Sequence, residues 1–145
     1  MYSCLFDIPV DLQSEIKRMI LIIDDSPTDI ELTIMALEAT GQEISVHTAT
    51  DGKSALAMLS SGHELPAFIL LDMKMPGMSG VEVIRKIRAG DRLRDIPVVV
   101  VTSTSLESDR AEAIASGASD YMQKPLALAQ FSKALEAILH RLLPN

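Results

Sequence analysis

Short apolar runs alternate with helix-like patterns along this chain. Met19–Ile23 (MILII) is apolar throughout, as a strand covered on both faces must be. Ser26-Pro27 then supplies an N-cap and a first helical residue. Ile30, Ile34 and Leu37 give that helix an inner face, and Gly41 ends it. Ile44, Val46 and Thr48 alternate as a second strand. Asp51-Gly52 opens a helix with Ala55, Leu56 and Leu59 inside, stopped near Gly62. Phe68–Leu71 is a third apolar run, and Val81, Ile84 and Ile87 line the helix that follows, to Gly90. Val98–Val101, directly after Pro97, is the most β-branched run. Leu106–Ser116 reads as a helix closed by Gly117; apart from Leu106 and Ile114 it is small, polar or charged. Tyr121–Gln123 is a short fifth strand. Leu128, Phe131, Leu135, Ile138 and Leu142 form the clearest helical stripe.

Strict alternation of strand and helix predicts an α/β fold: a five-stranded parallel sheet with helices on both faces. Right-handed crossovers then fix its hand. Residues 1–17 fall outside the pattern and read as an N-terminal extension. Their Leu5, Phe6, Ile8, Val10, Leu12 and Ile16 suit packing on the domain or on a partner.

Composition narrows the function classes. The chain has 145 residues, 48% of them hydrophobic and 3% aromatic, so one domain with an aliphatic core is expected. A formal charge of −7 with no basic run argues against direct nucleic-acid binding. No apolar run approaches the roughly 20 residues of a membrane span, so no membrane insertion is expected. The N-terminus lacks a basic region of the signal-peptide kind. A single cysteine, Cys4, excludes an internal disulfide. A cytoplasmic, soluble domain is the resulting expectation.

Parallel α/β sheets bind ligands beyond the carboxyl ends of their strands. The first strand ends in Asp24-Asp25, the third in Asp72, the fourth in Thr102-Ser103 and the fifth in Lys124-Pro125. Each has an ordinary structural explanation: a helix cap, a turn opener, a strand-end hydroxyl, a solvated tip. Together they put three acids, a hydroxyl and a lysine on one edge. Three adjacent carboxylates disfavour full ionisation, and an oxygen-seeking divalent cation such as Mg²⁺ relieves that conflict. An ionised aspartate is also a nucleophile toward phosphorus. Mg²⁺, Lys124 and the Thr102 hydroxyl would then neutralise the oxygens of a transferred phosphoryl group.

The segments IIDDSPTD, ATDGKSALAML, ILLDMKMPGMSG, IPVVVVTSTS and GASDYMQKPL occur in this order. In that order they resemble the receiver domain of two-component response regulators, over about Arg18 to Leu142. The resemblance implies a flavodoxin-like, CheY-like (βα)5 domain spanning 18–145. It implies that Asp24 and Asp25 hold Mg²⁺ (or Mn²⁺), that Asp72 accepts the phosphoryl group and also binds the metal, and that the Lys74 backbone carbonyl completes the metal site. It further implies that Thr102 binds and reports the phosphoryl group, that Lys124 pairs with it, that the Lys124–Pro125 bond is cis, and that Tyr121 is the switch aromatic. Three positions depart from the common pattern: Ser79 replaces a frequent Asp, and Lys74 and Thr104 occupy sites that tune phosphoryl lifetime.

The implied function is a phospho-accepting signalling switch rather than an enzyme acting on a separate substrate. A sensor histidine kinase or a histidine phosphotransfer protein would be the donor. A downstream protein would read the face made by the 106–116 helix, the fifth strand and the last helix. The chain ends at Asn145, just past that helix, so output through protein contact is expected, with relay of the phosphoryl group to another histidine as the alternative. An aspartyl phosphatase fits less well, because the first strand ends Asp-Asp rather than Asp-x-Asp and nothing supplies a cap. A nucleotide-binding reading lacks any glycine-rich phosphate loop. A binding module that had lost the chemistry should lack an acid or the lysine, and none is missing.

Overall fold

The computed structural model describes residues 18–61, 64–103, 106–124 and 127–142. The extension 1–17, Thr104 and the Lys124–Pro125 bond lie outside them. In chain order the elements are β1 (Arg18–Ile23), α1 (Pro27–Glu38), β2 (Ile44–Ala49), α2 (Gly52–Ser61), β3 (Phe68–Leu71), α3 (Gly80–Ala89), β4 (Val98–Thr102), α4 (Glu107–Ser116), β5 (Asp120–Gln123) and α5 (Leu128–Leu142). The five strands are parallel, in the order β2-β1-β3-β4-β5. Among the described residues no helix is long and apolar enough to cross a membrane.

The pattern along the strands is explained by where each lies. β3 and β4 are buried at every residue. Their side chains alternate between two apolar layers. Leu21, Ile23, Ile69, Leu71, Val98 and Val100 pack with α2, α3 and Ala113 of α4. Ile20, Ile22, Phe68, Leu70, Val99 and Val101 pack with α1 and α5. β2 is an edge strand, with His47 and Thr48 exposed, which is why its sequence alternates while the central strands do not.

Two readings of the core need correction. Phe68 and Phe131 are 0% and 1% exposed, so two rings join the otherwise aliphatic core. On α1 the buried positions are Ile30, Thr33, Ala36 and Leu37, and Ile34 is half-buried at the margin. Thr33 is tolerated inside because its hydroxyl donates to the Asp29 carbonyl at 2.8 Å. Leu106 and Ile114, the apolar residues of the fourth helical segment, are 58% and 46% exposed; α4 buries Ala113 alone among its described residues.

Two contacts fix the loops. Arg88 on α3 donates to the carbonyls of Gly117 (2.9 Å), Arg94 (2.9 Å) and Ile96 (2.6 Å), tying α3, the approach to β4 and the end of α4 together. Gly80, the first residue of α3, lies against the loop that follows β3: a Cβ there would sit 2.8 Å from Met73 Cα and 2.9 Å from the Asp72 carbonyl oxygen. Both neighbours are backbone and cannot step aside. Gly80→Ala should therefore destabilise the fold by about 1–3 kcal/mol, measured by urea denaturation; an unchanged midpoint would show that the loop yields.

Candidate functional site

β1 and β3 are neighbours at the centre of the sheet, and the chain leaves them toward opposite sides. A crevice forms at such a switch point. The ladder continues one residue beyond each strand and aims the acids into it. The Asp24 N–H donates to Ala49 O at 3.1 Å, and the Asp72 N–H to Ile23 O at 2.9 Å. Past β5, the Lys124 N–H donates to Thr102 O at 2.7 Å. Backbone pairing, set by rigid apolar strands, thus positions the polar residues.

Asp24, Asp25 and Asp72 each offer a carboxylate oxygen, and these oxygens all lie within 4.8 Å of one another. Asp24 and Asp72 are 4% and 8% exposed; Asp25 is exposed. Such a set of hard oxygen donors fits a divalent cation of the Mg²⁺ or Mn²⁺ kind. Asp24 Oδ1 accepts the Ser26 N–H at 3.0 Å, and Asp72 Oδ1 accepts the Lys74 N–H at 3.4 Å. Burial, assisted by the charges of Asp24 and then Asp25, raises the Asp72 carboxyl to about 6 despite the opposing charge of Lys124. The chain alone therefore strains to keep Asp72 ionised, and a cation would remove the strain.

Lys124 departs from the simplest expectation. Its ammonium donates to Asp24 Oδ2 at 3.1 Å and to Asp29 Oδ2 at 2.8 Å, while Asp72 feels its charge across space. Burial works to lower the Lys124 pKa, but the bonds to Asp29 and then Asp24 outweigh it, and the ammonium is held above its ordinary value. Asp29 is the residue that sequence reasoning missed. It stands in IIDDSPTD, one turn into α1, where an acid reads as an ordinary companion of the helix dipole.

Thr102 ends β4 and is 0% exposed. Tyr121 is half-buried on β5, paired with Val100 of β4 and packed on the α2–α3 side of the core. Burial followed by the charge of Asp109 raises its phenol above the ordinary value. The exposed Lys74 side chain reaches from the loop after β3 to α4, 3.6 Å from Asp109 Oδ2, a buried oxygen with no hydrogen bond among the described residues. Met73 and Met75 anchor that loop in the core, each 8% exposed. Ser79 caps α3 in a reciprocal capping box with Glu82, the work an Asp there would also do.

With this geometry established, the chain matches the family model described as response regulator receiver domain over residues 20–136. It is 44% identical over 109 residues to the response regulator PleD of Caulobacter vibrioides, covering 74% of this chain and spanning 23% of the length of PleD. The phosphorylated cyanobacterial phytochrome response regulator RcpA superposes with a TM-score of 0.80 at 28% identity, over 89% of this chain and 96% of that one. The Mn²⁺-bound form of response regulator Rcp1 superposes at 0.77, also at 28% identity, over 88% and 96% of the two chains.

The raised Asp72 pKa carries a signed consequence. Between its ordinary value of 3.8 and about 6 the folded chain holds the Asp72 proton more tightly than the unfolded chain does. The contribution of Asp72 is thus most favourable below the lower value and is lost as pH rises through the upper one. In metal-free buffer, Asp72→Asn should gain stability relative to wild type between about pH 4 and about pH 7. Chemical denaturation of both proteins measures it; a constant difference would mean that Asp72 ionises normally.

Proposed function

The chain belongs to the response regulator receiver domain family, and from that premise we propose that Asp72 is its phospho-acceptor and that residues 18–145 act as a phosphorylation-operated switch, with 1–17 an extension to it. Receiver domains take a phosphoryl group from histidine kinases and signal to downstream partners. The observation that carries the reading is the convergence of Asp72 with Asp24 and Asp25 within 4.8 Å at the switch point. A cytoplasmic setting, facing a sensor kinase or a phosphotransfer protein, belongs to the same reading.

Asp24, Asp25 and Asp72, with the Lys74 carbonyl, would hold Mg²⁺, which supplies positive charge to the phosphoryl oxygens when bound. An Asp72 carboxylate oxygen forms the new bond to phosphorus as the donor's P–N bond breaks and the imidazole nitrogen keeps the electron pair. The apolar strands behind the site hold the nucleophile rigid, so the chain contributes mainly positioning and charge. Lys124 and the Thr102 hydroxyl are the remaining groups for the phosphoryl oxygens. Thr102 then draws on β4, whose Val100 pairs with Tyr121 of β5, and α4 is the element that yields, since it buries so little. A small shift in free energy suffices to reposition such a helix. Output through α4, β5 and α5 to a protein partner is the reading favoured here over relay to a second histidine.

Incubated with Mg²⁺ and a small phosphodonor, the wild-type chain should gain one phosphoryl group by intact mass, and Asp72→Asn none; a labelled Asn variant would move the acceptor elsewhere. Thr102→Ala should still be labelled, yet its α4 amides should lose the change in hydrogen exchange that phosphorylation brings to wild type. An undiminished change in that variant would remove Thr102 from the switch.

A further inference from the structure

Asp29 has a carboxylate that its own helix does not require. Its N–H donates to the Ser26 hydroxyl at 3.2 Å, and its carbonyl accepts from Thr33 at 2.8 Å, so both backbone groups are satisfied within α1. The carboxylate instead reaches 2.8 Å to the ammonium of Lys124, 95 residues further along the chain. A favourable contact with the helix dipole explains an acid in the first turn, but not a carboxylate directed onto Lys124 in the crevice.

The two partners of Lys124 differ in how readily they can let go. The Lys124 side chain is 12% exposed and that of Asp24 is 6% exposed, so separating them would leave charge in a poorly solvated place. The Asp29 side chain is 38% exposed and rehydrates easily once the lysine departs. Asp29 is the releasable partner.

We propose that Asp29 is a positioning residue that competes with the phosphoryl group for Lys124: its carboxylate sets the resting place of the ammonium, and the lysine exchanges Asp29 for a phosphoryl oxygen when Asp72 is modified. This rests on Asp72 being the acceptor. Charge balance is kept through the exchange, because one anion replaces another beside the ammonium. Asp29 itself stands outside the cluster of Asp24, Asp25 and Asp72.

The test is calorimetric titration of the whole chain with beryllofluoride, a phosphoryl mimic, in Mg²⁺. Asp29→Asn keeps the shape and both backbone bonds but removes the charge. It should bind the mimic about twofold to fivefold more tightly, the ordinary worth of one partly exposed ion pair. Asp29→Glu, which restores the charge, should return affinity to within about twofold of wild type. A purely structural role would change the melting temperature of the Asn variant without tightening the mimic. Unchanged or weaker binding by a folded Asn variant overturns the role of Asp29 alone. Wild-type protein that takes up no beryllofluoride overturns the acceptor reading together with it.

Discussion

Like charges held close together in a poorly solvated place govern the layout of this protein. Asp24, Asp25 and Asp72 present oxygens within 4.8 Å of one another, two of them on buried residues. Left to relax, such a cluster would spread into solvent or take up protons. It does neither freely, because the amides of Asp24 and Asp72 are locked into the ladder one residue beyond β1 and β3. The repulsion is offset by Lys124, whose own backbone is locked to the end of β4. The charge conflict is thus held in place by the sheet, and a cation entering the crevice would relieve it.

That storage requires strands that do not give. β3 and β4 are buried over their whole lengths, each feeding alternate side chains to the two apolar layers. A polar residue in the middle of β3 would soften the very element that holds Asp72. The close approach of Gly80 to the Asp72 carbonyl serves the same end from the other side, since it lets α3 begin directly beneath the loop that carries Asp72.

Much of this was readable from residue order, and the failures have physical causes. Continuous apolar runs identified the central strands, and the alternation of Ile44, Val46 and Thr48 marked what proved to be an edge. The acids at the strand ends were legible because strand ends share one side of a parallel sheet. Asp29 was not, because its partner lies 95 residues away and nothing local distinguishes it from an ordinary first-turn acid. Ile34 was assigned to the core by spacing, whereas α1 rolls slightly and buries Thr33 and Ala36 instead. Composition suggested an aliphatic interior, but rarity says nothing of placement, and Phe68 and Phe131 are central. The weak burial of the 106–116 helix was legible, because its apolar residues are too few to define a stripe, and Leu106 and Ile114 are exposed.

The guanidinium of Arg88 gives α4 a pivot. Its bond to the Gly117 carbonyl, alongside those to Arg94 and Ile96, clamps the carboxyl end of that helix to the body of the protein. The amino end meets the site through the surface pair of Lys74 and Asp109. A rod fastened at one end turns instead of sliding. At 1.5 Å of rise per residue the arm from Gly117 back to Leu106 is about 16 Å long, so a tilt of roughly 10° sweeps its tip through about 3 Å. Any tilt of the helix would therefore be largest at the end beside the loop after β3 and vanish at the clamp, so Leu106 would travel further than Ile114, the other exposed apolar side chain there.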